Sequence, residues 1–173
     1  IGVDAVEVRL PRDLDRSEGL ILPGGESTTI GKLLVTFGLV DLVRSRALAG
    51  MPMYGTCAGA IVLARQVSSR GVDQPLVAVM DVEIERNAFG RQVDSFEADV
   101  PLAMLGGQSF HAVFIRAPVI TSVGPAVDVV GRLDDDTIVA AQQGNLLVTS
   151  FHPEMTTDGR VHRYFADLVE KTR

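Results

Sequence analysis

The chain has 173 residues, 46% of them hydrophobic and 22% charged, enough apolar material for one domain with a sizeable core and too little length for two ordinary ones. Lysine and arginine total 16 against 22 acids, and a net charge of −6 is a poor footing for wrapping nucleic acid, where phosphate neutralisation supplies much of the affinity. The one cysteine excludes an internal disulfide framework and a thiolate-rich zinc site, and the apolar runs are too broken by Arg, Asp, Gly and Pro to span a bilayer.

Residues 1–10 (IGVDAVEVRL) alternate and are rich in valine, but lack the basic region, apolar core and cleavage signal of a secretory peptide, so a cytoplasmic setting is expected. Two parallel strands within them would need a crossover of a dozen or more residues, and only Asp4 stands between Val3 and Ala5. Either residues 1–10 form one continuous strand, or a segment is missing between residues 3 and 4. After a break at Pro11, residues 19–22 (GLIL) read as a short buried strand closed by Pro23-Gly24-Gly25. Ser27, Thr28 or Thr29 can cap a helix carrying Ile30, Leu33, Leu34 and Phe37, with Gly38 as its stop. A second helix fits residues 39–48 and ends at Gly50. The strand MPMYG follows, and then a helix over AGAIVLARQV.

From Leu76 the pattern changes to short apolar strands: PLVAVMDVEIE, HAVFIRAPVITSV, AVDVVGRL, TIVAAQQG and NLLVTSFH, with loops at residues 87–95 and 134–136. A final amphipathic helix fits residues 159–171, with Val161, Phe165, Leu168 and Val169 on one side. Buried strands without clean alternation, mixed with helices, predict an α/β sheet covered by helices.

Gly55-Thr56-Cys57-Ala58-Gly59 is the most informative pattern. Glycines two positions before and after allow an abrupt strand-to-helix turn that exposes the central side chain above the strand end, near free N–H groups that favour thiolate. The ordinary alternative is a buried thiol acting as a small hydrophobe. In Ser150-Phe151-His152-Pro153-Glu154, histidine and glutamate two apart at a strand end can point the same way, the carboxylate orienting an imidazole base. A turn nucleated by Pro153 is its alternative. His111 and His162 have no acidic neighbour in comparable register and read as structural or solvent-facing. Pro23-Gly24-Gly25-Glu26-Ser27 offers backbone N–H donors to an oxyanion or anionic ligand, or is simply a tight turn with a helix cap. Gly31-Lys32 leads to Leu33, so no phosphate loop is completed, and Asp134-Asp135-Asp136 reads as a solvated turn without metal-ligand spacing. Arg86 and Arg116 each follow a strand-like run and could recognise a carboxylate, or be ordinary surface arginines.

Together these segments resemble the glutaminase subunits of pyridoxal 5'-phosphate synthases, within the class I glutamine amidotransferases. The resemblance covers nearly the whole chain and rests on GLILPGGESTTIGKLL, MPMYGTCAGAIVLA, VEIERNAFGRQVDSFEADV, VFIRAP and SFHPE. It implies a three-layer α/β sandwich over residues 1–173, with a mostly parallel central sheet flanked by helices. It implies Cys57 as nucleophile, His152 as base and Glu154 as its orienting carboxylate. Gly25, Glu26 and Ser27, with Arg86, Ile115 and Arg116, would bind L-glutamine, and the N–H groups of Gly25 and Ala58 would form the oxyanion hole. It further implies ammonia transfer to a (β/α)₈-barrel synthase subunit in a 12 + 12 assembly, with no cofactor or metal on this chain. Family members carry about 20 more residues between the strands matching Ile1-Gly2-Val3 and Ala5 onward, in line with the missing crossover. Three other readings share these residues: the glutaminase of a different class I amidotransferase, a non-catalytic α/β interaction subunit, and a cysteine hydrolase or chaperone of related architecture.

Overall fold

Short runs rich in Val, Leu and Ile bury both faces only if they lie side by side under covering layers, and this chain does so. A computed structural model describes residues 1–68, 73–86 and 95–172. In chain order the first half gives α1 (Pro11–Leu14), β1 (Leu20–Leu22), α2 (Ser27–Thr36), α3 (Val40–Leu48), β2 (Met53–Thr56), α4 (Ala58–Leu63), β3 (Ala64–Ser68) and β4 (Met80–Glu85). The second half gives β5 (Ser95–Leu102), β6 (Gln108–Ile115), β7 (Val119–Val123), β8 (Asp128–Arg132), β9 (Ile138–Gln143), β10 (Leu146–Thr149) and α5 (Arg160–Thr172).

The sheet runs β1-β2-β10-β9-β7-β4-β3, with β8 beside β9 and the β5–β6 hairpin attached through β8. β1, β2 and β10 are parallel, with Leu22 and Val148 both in register with Gly55. Their C-terminal ends therefore leave the sheet on one side, the usual place for a ligand in an open α/β fold. The period of two along these strands divides their side chains between two cores. Met53, Leu146 and Val148 face a core with Leu34, Val43 and the α4 residues Ile61 to Leu63. Tyr54 and Leu147 face the other, with Phe110, Phe114, Phe151, and Val161 and Phe165 of α5. Three layers result: α2, α3 and α4, then the sheet, then α5 with the hairpin.

Among the described residues, parallel pairing is confined to β1, β2 and β10 and to β3 with β4; the pairings among β4 to β10 outside these are antiparallel. The sheet is thus mixed, because its second half is joined by short turns that cannot carry a parallel crossover. Other differences from expectation have equally local causes. Residues 1–9 form no strand and are largely exposed, Ile1, Val3 and Val6 among them. The helix after Cys57 stops at Leu63, where Ala64 turns extended (φ −62°, ψ 144°) and the chain continues as β3 in parallel register with β4. Strand pairing outweighs helical periodicity there. The run HAVFIRAPVITSV breaks into β6 and β7 at Arg116, whose φ is +43°, and Pro118. β5 was not anticipated, although Phe96, Ala98, Val100 and Leu102 alternate with polar residues. Residues 87–94 of the expected loop lie outside the described residues. The helix opened by PGGES is capped by Glu26 rather than by Ser27, Thr28 or Thr29, its carboxylate accepting from the Thr28 N–H at 3.3 Å.

Candidate active site

Cys57 sits where β2 becomes α4, with φ +48° and ψ −104°, a conformation that a residue with a Cβ adopts only under constraint. The constraint is packing on both sides. A Cβ on Gly59 would lie 1.8 Å from the Leu22 carbonyl oxygen, and one on Gly55 would lie 2.6–2.7 Å from the backbone of Gly59 and Ala60. The two flanking glycines are the close approaches that allow β1, β2 and α4 to meet around the cysteine. The Cys57 N–H donates to the Thr149 carbonyl at 2.8 Å, which ties the turn to the end of β10. Beneath it the buried Tyr54 hydroxyl bonds Thr149 Oγ1 at 3.0 Å, and Thr149 Oγ1 donates to the Phe151 carbonyl at 3.2 Å. Burial pushes the Tyr54 phenol far above its ordinary pKa, so it stays a proton donor in this chain.

Thr149 leads directly to His152, whose N–H donates to the Val113 carbonyl at 2.8 Å. Nδ1 of His152 bonds Glu154 Oε1 at 2.7 Å, and the imidazole also interacts with the Cys57 side chain. These interactions, that with Cys57 first and that with Glu154 second, outweigh partial burial and raise the His152 pKa to about 10. Partial burial opposes ionisation of Glu154, but the His152 hydrogen bond and the His152 and His162 charges hold the carboxyl below its usual range. Gly24 lies against the ring: a Cβ there would be 2.3 Å from His152 Cε1, so the position has to be side-chain-free for the imidazole to keep its place.

The turn after β1 supplies the rest. Gly25 has φ +138°, a backbone that favours glycine, and Glu26 follows it on the exposed rim. Glu26 Oε1 accepts from Thr28 Oγ1 at 3.0 Å and from Arg86 Nη2 at 3.0 Å. The Thr28 hydroxyl and N–H, then the charges of Arg86 and Arg116, hold its carboxyl below the usual range. Arg86 is no loose surface arginine, since its side chain is only 16% exposed. Arg116 and Ile115, at the end of β6, are both exposed, Ile115 at 37%. Ser27 is buried, and its hydroxyl donates to Gln74 Oε1 at 2.9 Å.

The fold therefore brings Cys57 beside the hydrogen-bonded pair His152–Glu154, sets Gly24 against the imidazole, and gathers Glu26, Ser27, Arg86 and Arg116 into a second cluster around the turn after β1. Gln74, Tyr54 and Thr149 were not singled out from sequence; the signal available for Gln74 was an amide beside a proline at the head of an apolar run. His111 has acidic partners after all, Asp99 at 3.0 Å and Glu97 at 2.8 Å, supplied across the β5–β6 ladder rather than along the chain. His162 meets the Tyr54 ring edge-on at 6.4 Å. Asp134 to Asp136 form the expected exposed turn, closed by the Thr137 N–H on Asp135.

The model of the SNO glutamine amidotransferase family matches residues 1–171. The chain belongs to that family. Relatives include the pyridoxal 5'-phosphate synthase subunit PdxT of Roseiflexus castenholzii, 53% identical over 97% of this chain and 89% of that one. The subunit of the same name from Herpetosiphon aurantiacus is 55% identical, again over 97% of this chain and 89% of the relative. A solved structure described as a crystal structure of glutamine amidotransferase superposes with a TM-score of 0.92 at 49% identity, over 98% of this chain and 88% of that one. The likeness to that structure extends over the elements that build the cysteine turn and the end of β10.

Proposed function

We propose that this chain is the glutaminase subunit of a pyridoxal 5'-phosphate synthase, hydrolysing L-glutamine to glutamate and ammonia. The observation that carries the chemistry is the convergence of Cys57 and the hydrogen-bonded pair His152–Glu154 over the C-terminal ends of parallel β2 and β10. The PdxT relatives carry the assignment to that synthase.

In this reading the raised pKa of His152 keeps the imidazole charged beside the Cys57 sulfur, and the species that reacts is the thiolate. The Cys57 sulfur attacks the side-chain amide carbon of glutamine, and the C=O electron pair moves onto oxygen. The N–H of Ala58, in the open first turn of α4, and the N–H of Gly25 receive that oxyanion. In an unrelated hydrolase such a donor is worth about 3–4 kcal/mol of barrier. The charged His152 gives its proton to the departing nitrogen, the C–N bond breaks, and ammonia leaves a glutamyl thioester. His152, now neutral, takes a proton from water, hydroxide adds to the thioester carbon, and the C–S bond breaks to release glutamate and restore the thiolate. Glu154 holds the ring at Nδ1 throughout. Glu26 takes the ammonium end of glutamine, and Arg86 and Arg116 take its carboxylate, with Ser27 and Ile115 lining the site; opposite charges within one cluster suit a zwitterion.

Ammonia passes to a (β/α)₈-barrel synthase subunit, twelve of each chain forming the assembly, and the phosphate substrates and product belong to the barrel. Residues 1–173 are one glutaminase domain lacking a crossover between residues 3 and 4; the strandless, exposed residues 1–9 support this.

Glutamate release from glutamine, measured with and without the barrel subunit, tests the reading. Activity should rise with the partner and fall by at least about 10³-fold in Cys57→Ala. Full hydrolysis by that variant would sink the mechanism.

A further inference from the structure

Gln74 lies 47 residues from Ser27 and 12 from Arg86 in sequence, yet one atom of its side chain joins them. Its Oε1 accepts from Ser27 Oγ at 2.9 Å and from Arg86 Nη1 at 3.3 Å. The residue is 8% exposed, and among the described residues its Nε2 has no hydrogen-bond partner. Burying a polar amide costs free energy unless the contacts made recover it, so a half-satisfied glutamine needs a reason to be there.

The stretch that carries it is strapped in place. Arg44 of α3 donates from Nε to the Val77 carbonyl at 2.8 Å and from Nη2 to the Leu76 carbonyl at 3.0 Å. Pro75 lies so close to α2 that a Cβ on Gly31 would be 2.5 Å from its carbonyl oxygen. Gln74 is thus a fixed acceptor, whereas the other partner of the Arg86 guanidinium, Glu26, has a side chain 57% exposed. A neutral amide oxygen also orients the guanidinium without cancelling its charge, which a carboxylate at the same place would do.

We propose that Gln74 is a positioning residue for substrate binding, holding Arg86 and Ser27 in the geometry that receives the charged end of glutamine while Glu26 is free to turn to the ligand. This rests on the reading of Ser27 and Arg86 as glutamine-binding residues. Gln74 touches neither the sulfur nor the imidazole, so its loss acts on binding and leaves the chemical step alone.

The test is steady-state glutamine hydrolysis by the chain with its barrel partner. Gln74→Met should raise KM about tenfold with kcat within about twofold, the size expected for one hydrogen bond to a charged group. In an Arg86→Ala background the same change should add less than about threefold, because the group being positioned is gone. Gln74→Asn keeps an amide but draws the acceptor back by one methylene. It should give the same rise in KM, and it replaces Gln74→Met if that variant does not fold. An unchanged KM, a fall confined to kcat, or full additivity with Arg86→Ala overturns the proposal. Cys57→Ala run in parallel separates the two levels: if it stays active, the glutaminase reading fails, and if it is dead while Gln74 variants keep a normal KM, only the role of Gln74 fails.

Discussion

An imidazole with a carboxylate at Nδ1 and a cysteine at its other side is charged far into the alkaline range, which makes His152 the residue whose titration should be visible. Its pKa stands at about 10, above the ordinary value of 6.5, so the stability it adds is complete below the unfolded-state value and is lost as pH rises through about 10. In the proposed mechanism the same proton is the one handed to the departing amide nitrogen, so the alkaline limb of kcat/KM should lie toward that end of the scale. Glu154→Gln removes the second of the two hydrogen-bonded supports of the imidazolium, and the limb should move to lower pH. The value of kcat/KM near neutrality should drop by on the order of 10²-fold. A pH–rate profile of both proteins measures this, and an alkaline limb left in place by the substitution would show that Glu154 does not tune His152.

At the scale of elements, the abrupt strand-to-helix path at Cys57 is where sequence and structure agree most closely, although the side chain expected to stand exposed is buried there, and the agreement has a steric cause. Gly55 and Gly59 were legible because an abrupt strand-to-helix turn needs them, and the 1.8 Å approach of a Gly59 Cβ to the Leu22 carbonyl gives the reason in atoms. Gly59→Ala would have to push α4 off β1, since backbone cannot step aside as a side-chain tip can. The expected cost is about 3 kcal/mol, a Tm drop on the order of 10 °C in thermal unfolding, and a loss within about 1 °C would mean the contact is relieved cheaply. What sequence did not yield were features set by distant partners. The end of the helix at Leu63 depends on β3 finding β4, the split of β6 from β7 depends on a positive φ at Arg116, and the partners of His111 come from the opposite strand. Gln74 was hidden for the same reason: nothing beside it in the chain announces Ser27 or Arg86. Residues 1–10 were a conflict already visible in the sequence, alternating like strand while lacking the crossover that two parallel strands require.

For the whole molecule, the candidate site draws on segments near positions 25, 57, 74, 86, 116 and 153, carried by both halves of the sheet. No one element holds it; the register of β1, β2 and β10 aligns the cysteine, histidine and glycine turns, and β4 and β6 bring in the arginines. A ligand spanning both clusters binds only the folded arrangement, so glutamine should stabilise the entire domain cooperatively rather than one loop. Cys57→Ala permits the measurement, because the ligand is then held without being consumed. At a glutamine concentration 100 times its Kd the added stability is about 2.7 kcal/mol, which for a chain of this size is a Tm rise of roughly 5–10 °C. Arg86→Ala in the same background should abolish most of the rise, while glutamate, lacking the amide but sharing the charged end, should retain part of it. A flat melting temperature across the glutamine titration would show that the two clusters do not act as one site, and the reading of Glu26, Ser27 and Arg86 as the glutamine cradle would have to be withdrawn.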